Sequence, residues 1–145
     1  SSFASSHAGQ SPFSSITMPY GAQTLWPDHC VQGTAGAEFH GDLRWTKAEL
    51  IIRKGFRKSV DSYSAFFEND HETPTGLGGY LKERGLTSVT LVGLAFDYCV
   101  RYSAEDAKAL GLDTTVIEHA TRAIDLGGSA DATRQSFSDR GIRLV

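Results

Sequence analysis

Short apolar runs alternate with helical patterns from residue 49 to the end of the sequence. The apolar runs lie at 49–55, 88–95, 114–120 and 142–145. Segments with helical spacing of apolar residues lie between them, at 73–85, 98–111 and 129–141. Strands that alternate with helices predict a parallel sheet joined by right-handed crossovers. We therefore predict an α/β fold, and the length of 145 residues suits a single domain over residues 1–145.

The same pattern predicts burial and helix ends. ELIIRKG at 49–55 is predicted as a short buried strand, and SVTLVGLA at 88–95 as a fully buried one. One apolar stripe of the helix at 98–111 is made of Val100, Ala104, Ala107 and Leu110. Gly85 and Gly111 are predicted to end helices. Residues 1–48 are predicted to be mostly irregular, and 60–70 to form a loop anchored by aromatic side chains.

Charge and cysteine content exclude several classes of protein. The formal net charge is −3 and the pI is about 5.9, so nothing indicates a nucleic-acid partner or a polybasic membrane patch. No apolar stretch is long enough to span a bilayer, and SSFASSHAGQ at the start does not resemble a signal peptide. Cys30 and Cys99 provide no disulfide framework, which favours a reducing, cytoplasmic location.

Cys99 lies where the apolar run at 88–95 gives way to the next helix. Ligands of an open parallel sheet bind beyond the carboxyl ends of its strands. A helix N-terminus carries unpaired N–H groups and partial positive charge, which favour a thiolate and can hold an oxyanion. Cys99 is therefore a candidate nucleophile, and an inert, packed cysteine is the alternative. Lys54 also follows an apolar run, so we expect it either at the same sheet edge, lowering the thiol pKa, or solvated.

The stretch LWPDHCVQG, at 25–33, contains two further candidates. Imidazole is the commonest metal ligand in proteins, which makes His29 a candidate ligand. Its position beside Cys30 matches no structural zinc spacing, so a loop histidine is the alternative. Trp26 is either a wall against a bound ring or a core aromatic residue.

Three blocks of the sequence resemble the nicotinamidase/pyrazinamidase family, within the isochorismatase-like cysteine hydrolases. The blocks are LWPDHCVQGTAGAEFH (25–40), IIRKGFRKSVDSYSAFF (51–67) and VGLAFDYCVRYSAEDAKALGL (92–112), and their order fits the family. The resemblance implies a three-layer α/β/α sandwich with a mostly parallel sheet. It also implies hydrolysis of nicotinamide or pyrazinamide to the acid and ammonia, through a cysteine thioester, as in NAD salvage or nicotinate catabolism.

Site residues carry over from the family by position. Cys99 matches the nucleophile, and Lys54 matches the catalytic lysine. The backbone N–H groups of Ala95 and Cys99 match the oxyanion hole, and the Leu94–Ala95 bond matches a cis peptide. The residues expected to line the substrate pocket are Trp26, Tyr98 and, more weakly, Tyr63 or Phe66. His29 matches one ligand of a divalent metal that holds the pyridine nitrogen; zinc is the first candidate, and iron or manganese are compatible.

The chain departs from the family at its start. The family's first-strand aspartate and its other metal ligands precede a segment like SSFASS, with which this chain opens. We therefore expect the C-terminal portion of a longer enzyme, lacking its first strands, whose missing N-terminal segment acts as a partner. The alternatives are another amide or ureide hydrolase of the superfamily and a non-catalytic binding module. Asp97 is expected to cap its own helix through its side chain, and the sequence is compatible with a homo-oligomer.

Overall fold

The computed structural model describes all residues from 1 to 145. The chain forms two compact units, Ser1–Asp61 and Ser62–Val145, which are described separately. None of its helices combines the length and the apolar character that a membrane crossing requires.

The first unit contains a hairpin that the sequence did not indicate. β1 (Ser15–Met18) pairs antiparallel with β2 (Gly21–Thr24), and two single 3₁₀ turns lie at Ala4–Ser6 and Ala35–Ala37. The prediction of a mostly irregular segment at 1–48 is therefore only partly right. β1 (SITM) alternates polar and apolar residues, but over four residues only, and β2 (GAQT) does not alternate, so the period-2 signal of a strand is too short to predict the hairpin.

The predicted buried strand at 49–55 is wrong. These residues have no regular secondary structure, and Leu50 and Ile51 are 40% and 49% exposed. An extended segment becomes a strand only when a neighbouring strand shares its backbone hydrogen bonds. The two sheets of the chain have the orders β1-β2 and β3-β4-β5, and neither includes this segment.

The second unit has the predicted alternation of strands and helices. α1 (Leu77–Glu83) precedes β3 (Ser88–Leu94), α2 (Arg101–Ala109) leads to β4 (Asp113–Arg122), and α3 (Ser129–Arg140) leads to β5 (Arg143–Leu144). The three strands are parallel in the order β3-β4-β5, with Leu91 opposite Val116 and Thr115 opposite Arg143. The α/β fold is confirmed.

Helix ends follow the glycines that the sequence indicates. Gly111 has a φ of 84°, a left-handed conformation that costs glycine little, and Leu112 N–H donates to the Ala107 carbonyl at 3.0 Å. Gly85 ends α1 in the same way, with Leu86 N–H donating to the Leu81 carbonyl at 2.9 Å. Each bond satisfies a carbonyl in the last turn of its helix.

The core of the second unit lies between the sheet and α2 and α3. Its members are Phe96, Val100, Ala104, Val116, Ala130, Phe137 and Ile142. The helical stripe is confirmed at Val100, Ala104 and Ala107, which are buried. It is wrong at Leu110, which is 47% exposed because it lies at the C-terminal end of α2, beyond the core.

β3 is covered on one face only, so the prediction of a fully buried strand is wrong. Val89 and Leu91 pack against the core. Val92 and Leu94 are 56% and 72% exposed. Successive side chains of a strand point to opposite faces, and β3 is an edge strand whose second face has no helix against it within this unit.

Candidate active site

Cys99 lies in a tight turn between β3 and α2. The Leu94–Ala95 peptide is cis, as the resemblance implies, and Phe96–Val100 forms a single π turn that continues into α2. The Ala95 carbonyl accepts hydrogen bonds from the N–H groups of Tyr98, at 3.1 Å, and Val100, at 3.0 Å. Cys99 is half-buried. The predicted position of the thiol, just beyond the carboxyl end of a parallel strand, is confirmed.

Three tyrosine rings lie together beside this turn. Tyr63 meets Tyr98 edge-on, with ring centroids 5.7 Å apart and an interplanar angle of 78°. Tyr63 also contacts Tyr102, at 5.4 Å and 39°. Burial raises the pKa of Tyr98, and the charges of Asp97 and Tyr102 raise it further, so Tyr98 is a neutral phenol at pH 7. The structure thus brings together Tyr63 and Tyr98, two of the residues expected to line the substrate pocket.

Ser103 lies one helical turn after Cys99. Its hydroxyl donates to the Cys99 carbonyl at 2.6 Å and accepts from the Ala65 N–H at 2.8 Å. Ala65 lies in the loop that carries Tyr63. Sequence reasoning missed Ser103 and Tyr102. The available signal was the distance in sequence to residues already singled out. Ser103 follows Cys99 by four positions and Tyr102 follows Tyr98 by four, and residues four apart lie on the same helical face.

Asp97 does not cap its own helix, so that prediction is wrong. Its carboxylate accepts from the N–H groups of Ile124 at 3.0 Å and Asp125 at 2.7 Å, and from the Ser129 hydroxyl at 2.5 Å. These donors lie at the end of β4 and the start of α3. The carboxylate binds these donors rather than the N–H groups of its own helix because the turn points the Asp97 side chain into the unit, where Asp97 is 2% exposed.

The environment of Asp97 favours its ionised form. Burial opposes the charge, but the hydrogen bonds from Ser129, Ile124 and Asp125 outweigh it and lower the pKa of Asp97 below its usual value. The carboxylate therefore acts as an acceptor for three donors.

Trp26 is a buried residue of the first unit, 6% exposed. Its backbone accepts from Ala4 N–H at 2.9 Å and donates to the Ser2 carbonyl at 2.8 Å. Its ring meets Phe13 edge-on, with centroids 6.0 Å apart. Within its own unit, Trp26 has the contacts of a core aromatic residue, and its role against a substrate ring stays a prediction.

One ring nitrogen of His29 has a lone pair that can bind a metal ion. Its Nδ1 lies 2.8 Å from the Pro27 carbonyl, which can only accept, so Nδ1 carries the proton of the neutral ring. That tautomer leaves the Nε2 lone pair available, as in metal-bound histidines whose other nitrogen donates to a carbonyl. However, no three His, Cys, Asp or Glu side chains of the chain lie close enough to hold a metal ion together. The residues present therefore do not form a complete metal site.

Lys54 and Cys30 also lie in the first unit. Lys54 is half-buried and belongs to the irregular segment at 49–55 rather than to the end of a strand. Cys30 is exposed, with a φ of 47°.

A cavity of about 270 Å³ lies along the second half of β4. It is formed where β4 departs from its pairing with β3, between Val116 and Thr121, and Arg134 borders it. None of the predicted site residues lines this cavity. Phe96, the first residue of the turn that carries Cys99, also borders this cavity.

Comparison with known proteins identifies the family. The isochorismatase domain matches residues 8–143. The nicotinamidase of Acinetobacter baylyi is 52% identical over 144 residues, which cover 99% of this chain and 67% of that protein. The chain spans 54% to 67% of the length of the first three curated relatives it matches.

Solved structures agree with the sequence matches. A nicotinamidase and pyrazinamidase of Acinetobacter baumanii superposes with a TM-score of 0.97 at 53% identity, over 99% of this chain and 70% of that one. The pyrazinamidase of Pyrococcus horikoshii, solved in complex with zinc, superposes with a TM-score of 0.69 at 32% identity, over 83% of this chain and 62% of that one. The chain therefore belongs to the isochorismatase family, among its nicotinamidase and pyrazinamidase members.

Proposed function

We propose that the protein hydrolyses nicotinamide to nicotinate and ammonia, and pyrazinamide to pyrazinoate. The observation that carries the proposal is Cys99, in a tight turn beyond a parallel strand and beside a cluster of aromatic rings. The nicotinamidase from Acinetobacter baylyi, which is 52% identical, supports the substrate class. The reaction class is amide hydrolysis through a covalent cysteine intermediate.

The chemistry requires two acyl-transfer steps. The Cys99 thiolate attacks the carboxamide carbon, the carbonyl oxygen becomes an oxyanion, and the carbon–nitrogen bond then breaks. The nitrogen leaves as ammonia after it receives a proton, and the acyl group remains on sulfur as a thioester. Water then attacks the thioester, releases the carboxylate and returns the thiol. Donors aimed at the oxyanion lower the barrier of both steps.

The remaining site residues have proposed roles of their own. The backbone N–H groups of Ala95 and Cys99 are the proposed oxyanion donors, and Tyr63 and Tyr98 the proposed walls for the pyridine ring. Lys54 is the proposed catalytic lysine, which stabilises anionic species, and Trp26 is a further proposed aromatic contact. These roles rest on the family resemblance.

A divalent metal, zinc in the first place, is the proposed cofactor. The zinc complex of the Pyrococcus horikoshii pyrazinamidase supports it, as does the tautomer of His29, which leaves Nε2 available. One imidazole does not hold zinc alone, so the proposal requires ligands that residues 1–145 do not bring to His29. When bound, the metal would orient the substrate ring.

We further propose that residues 1–145 act as one domain of a cytoplasmic enzyme in NAD salvage, alone or as a homo-oligomer. The test of the function is ammonia release from nicotinamide and pyrazinamide by the protein, with acetamide as the control amide. Release from both heteroaromatic amides, and little from acetamide, is expected. Equal rates on all three amides, or none on nicotinamide, would contradict the proposal.

A further inference from the structure

Ser103 connects the turn that carries Cys99 with the loop that carries Tyr63. Its hydroxyl donates to the Cys99 carbonyl and accepts from the Ala65 N–H. A hydroxyl has one donor and two acceptor sites, so it can bind both segments at once. Ser103 is only 4% exposed, so bulk water cannot easily replace it as the partner of the Ala65 N–H.

The loop at 62–66 has several hydrogen bonds that determine its own shape. The Ser62 hydroxyl donates to the Ser64 carbonyl at 3.1 Å, and Phe66 N–H donates to the Ser64 hydroxyl at 3.0 Å. Tyr63 N–H donates to the Asn69 side chain at 2.8 Å. These bonds shape the loop but do not join it to α2, whereas the bond from Ala65 to Ser103 does.

α2 presents a second group to the same loop. Tyr102, the neighbour of Ser103, contacts the Tyr63 ring, and that ring in turn meets Tyr98. A hydroxyl and a ring on consecutive residues therefore hold the backbone and the side chain of one loop. The turn at Cys99 has independent support, because the Ala95 carbonyl accepts from both Tyr98 and Val100.

We propose that Ser103 is a positioning residue that sets where Tyr63 stands relative to Cys99, and thereby how tightly the amide substrate binds. The inference rests on the proposed function, in which Tyr63 contacts the substrate ring. Loss of the hydroxyl removes the hydrogen bond from Ala65 to α2, whereas the nucleophile turn keeps its two bonds to the Ala95 carbonyl. The Tyr63 loop should therefore be displaced more than the nucleophile.

The test compares three variants of the protein in ammonia release from nicotinamide. Ser103→Ala should raise KM about tenfold and change kcat less than about threefold, because a binding group is displaced while the reacting atom stays in place. Ser103→Thr keeps the hydroxyl and should retain the KM of the unmodified protein. Ser136→Ala is the matched control, since the Ser136 hydroxyl also bridges elements, to Glu105 at 2.6 Å, away from Cys99.

Hydrogen–deuterium exchange gives a readout that does not depend on activity. The peptide that contains Ala65 should exchange faster in Ser103→Ala and not in Ser136→Ala. Should Ser103→Ala fail to fold, Ser103→Cys replaces it, because a thiol is a weaker hydrogen-bond acceptor of similar size. A raised KM in that variant supports the role, and an unchanged KM in the folded variant contradicts it.

The two proposals fail in different ways. An unmodified protein that releases no ammonia overturns the proposed function and, with it, the role of Ser103. An active protein whose KM is unchanged by Ser103→Ala overturns only the role of Ser103.

Discussion

Cys99 and Cys30 are the same residue type in different surroundings. Cys99 is half-buried in the turn between a strand and a helix, while Cys30 is exposed in a loop of the first unit. A nucleophile needs a fixed position relative to its oxyanion donors, and an exposed loop does not provide such a fixed position. The two cysteines therefore form a matched pair for testing the chemistry.

Cys99→Ala should abolish ammonia release from nicotinamide, by a factor of roughly a thousand or more, because no other group can form the thioester. Nicotinamide binding, measured by calorimetry, should persist. Cys30→Ala should keep the activity of the unmodified protein. Ammonia release that survives Cys99→Ala would remove Cys99 from the role of nucleophile.

The proposed role of His29 as a metal ligand depends on a single atom, its Nε2 nitrogen. In protein that carries the further metal ligands, His29→Ala should lower the metal bound per protein molecule, measured by elemental analysis after purification in zinc-containing buffer, since Nε2 is lost as a ligand. His40→Ala is the control, because His40 is an exposed histidine whose Nδ1 accepts a hydrogen bond from the Asp42 N–H at 3.3 Å. Equal metal content in the two variants would argue against His29 as a ligand.

At the scale of the element, the Asp97 carboxylate joins β4 and α3 to the turn after β3. Its three donors belong to residues 27 to 32 positions later in the chain. Hydrogen bonds to a charged group contribute about 1.5–3 kcal/mol, more than neutral ones. The junction between β4 and α3 is therefore held by side-chain chemistry as well as by core packing.

Asp97→Asn should lower the free energy of unfolding at neutral pH by about 1.5–3 kcal/mol, measured by denaturant titration. Because the pKa of Asp97 is lowered in the folded state, its contribution is fully present above the unfolded pKa of about 3.9 and is lost as the pH falls through the folded value. The difference between variant and unmodified protein should therefore shrink in acid.

Asp131→Asn is the control for this pH dependence. The Asp131 side chain is 91% exposed and pairs with Arg134 at the surface, so its loss should cost less than about 1 kcal/mol. A stability difference for Asp97→Asn that does not change between neutral and acidic pH would contradict the assigned charge state.

Phe137 is the larger of the two α3 residues in the hydrophobic core. It is 1% exposed, and its ring meets Phe96 edge-on with centroids 5.7 Å apart. Phe137→Ala should lower the free energy of unfolding by about 3–5 kcal/mol, because it leaves a cavity in the core. Ser138→Ala, an exposed neighbour on α3, is the control in the same denaturant titration. A loss below about 1 kcal/mol for Phe137→Ala would show that the core closes around the gap.

For the whole molecule, local patterns predicted some elements and missed others. α3 and β5 could be predicted because a segment without helix-breaking residues ends at Gly141 and an apolar run follows it. The hairpin at 15–24 could not, since the alternation in its first strand covers four residues only and its second strand does not alternate. The segment at 49–55 has a strand-like composition, but composition alone does not supply a pairing partner.

The candidate site shows the same division between local and distant information. The position of Cys99 could be predicted because it depends on one junction between a strand and a helix. The contacts of Asp97, and the bond from Ser103 to Ala65 across 38 positions, could not, because they depend on how distant segments meet. For residues whose spatial neighbours cannot be predicted from the sequence, the proposed roles came from the resemblance to a family.

The three donors to Asp97 have a consequence for insertions and deletions. Ile124, Asp125 and Ser129 reach one carboxylate from a short connection, so the number of residues between them is set by that geometry. Most exposed connections tolerate changes in length. This one should not, and an added or removed residue here would disturb the turn that holds Cys99, two positions after Asp97. Affinity tags and domain fusions therefore belong elsewhere in the chain.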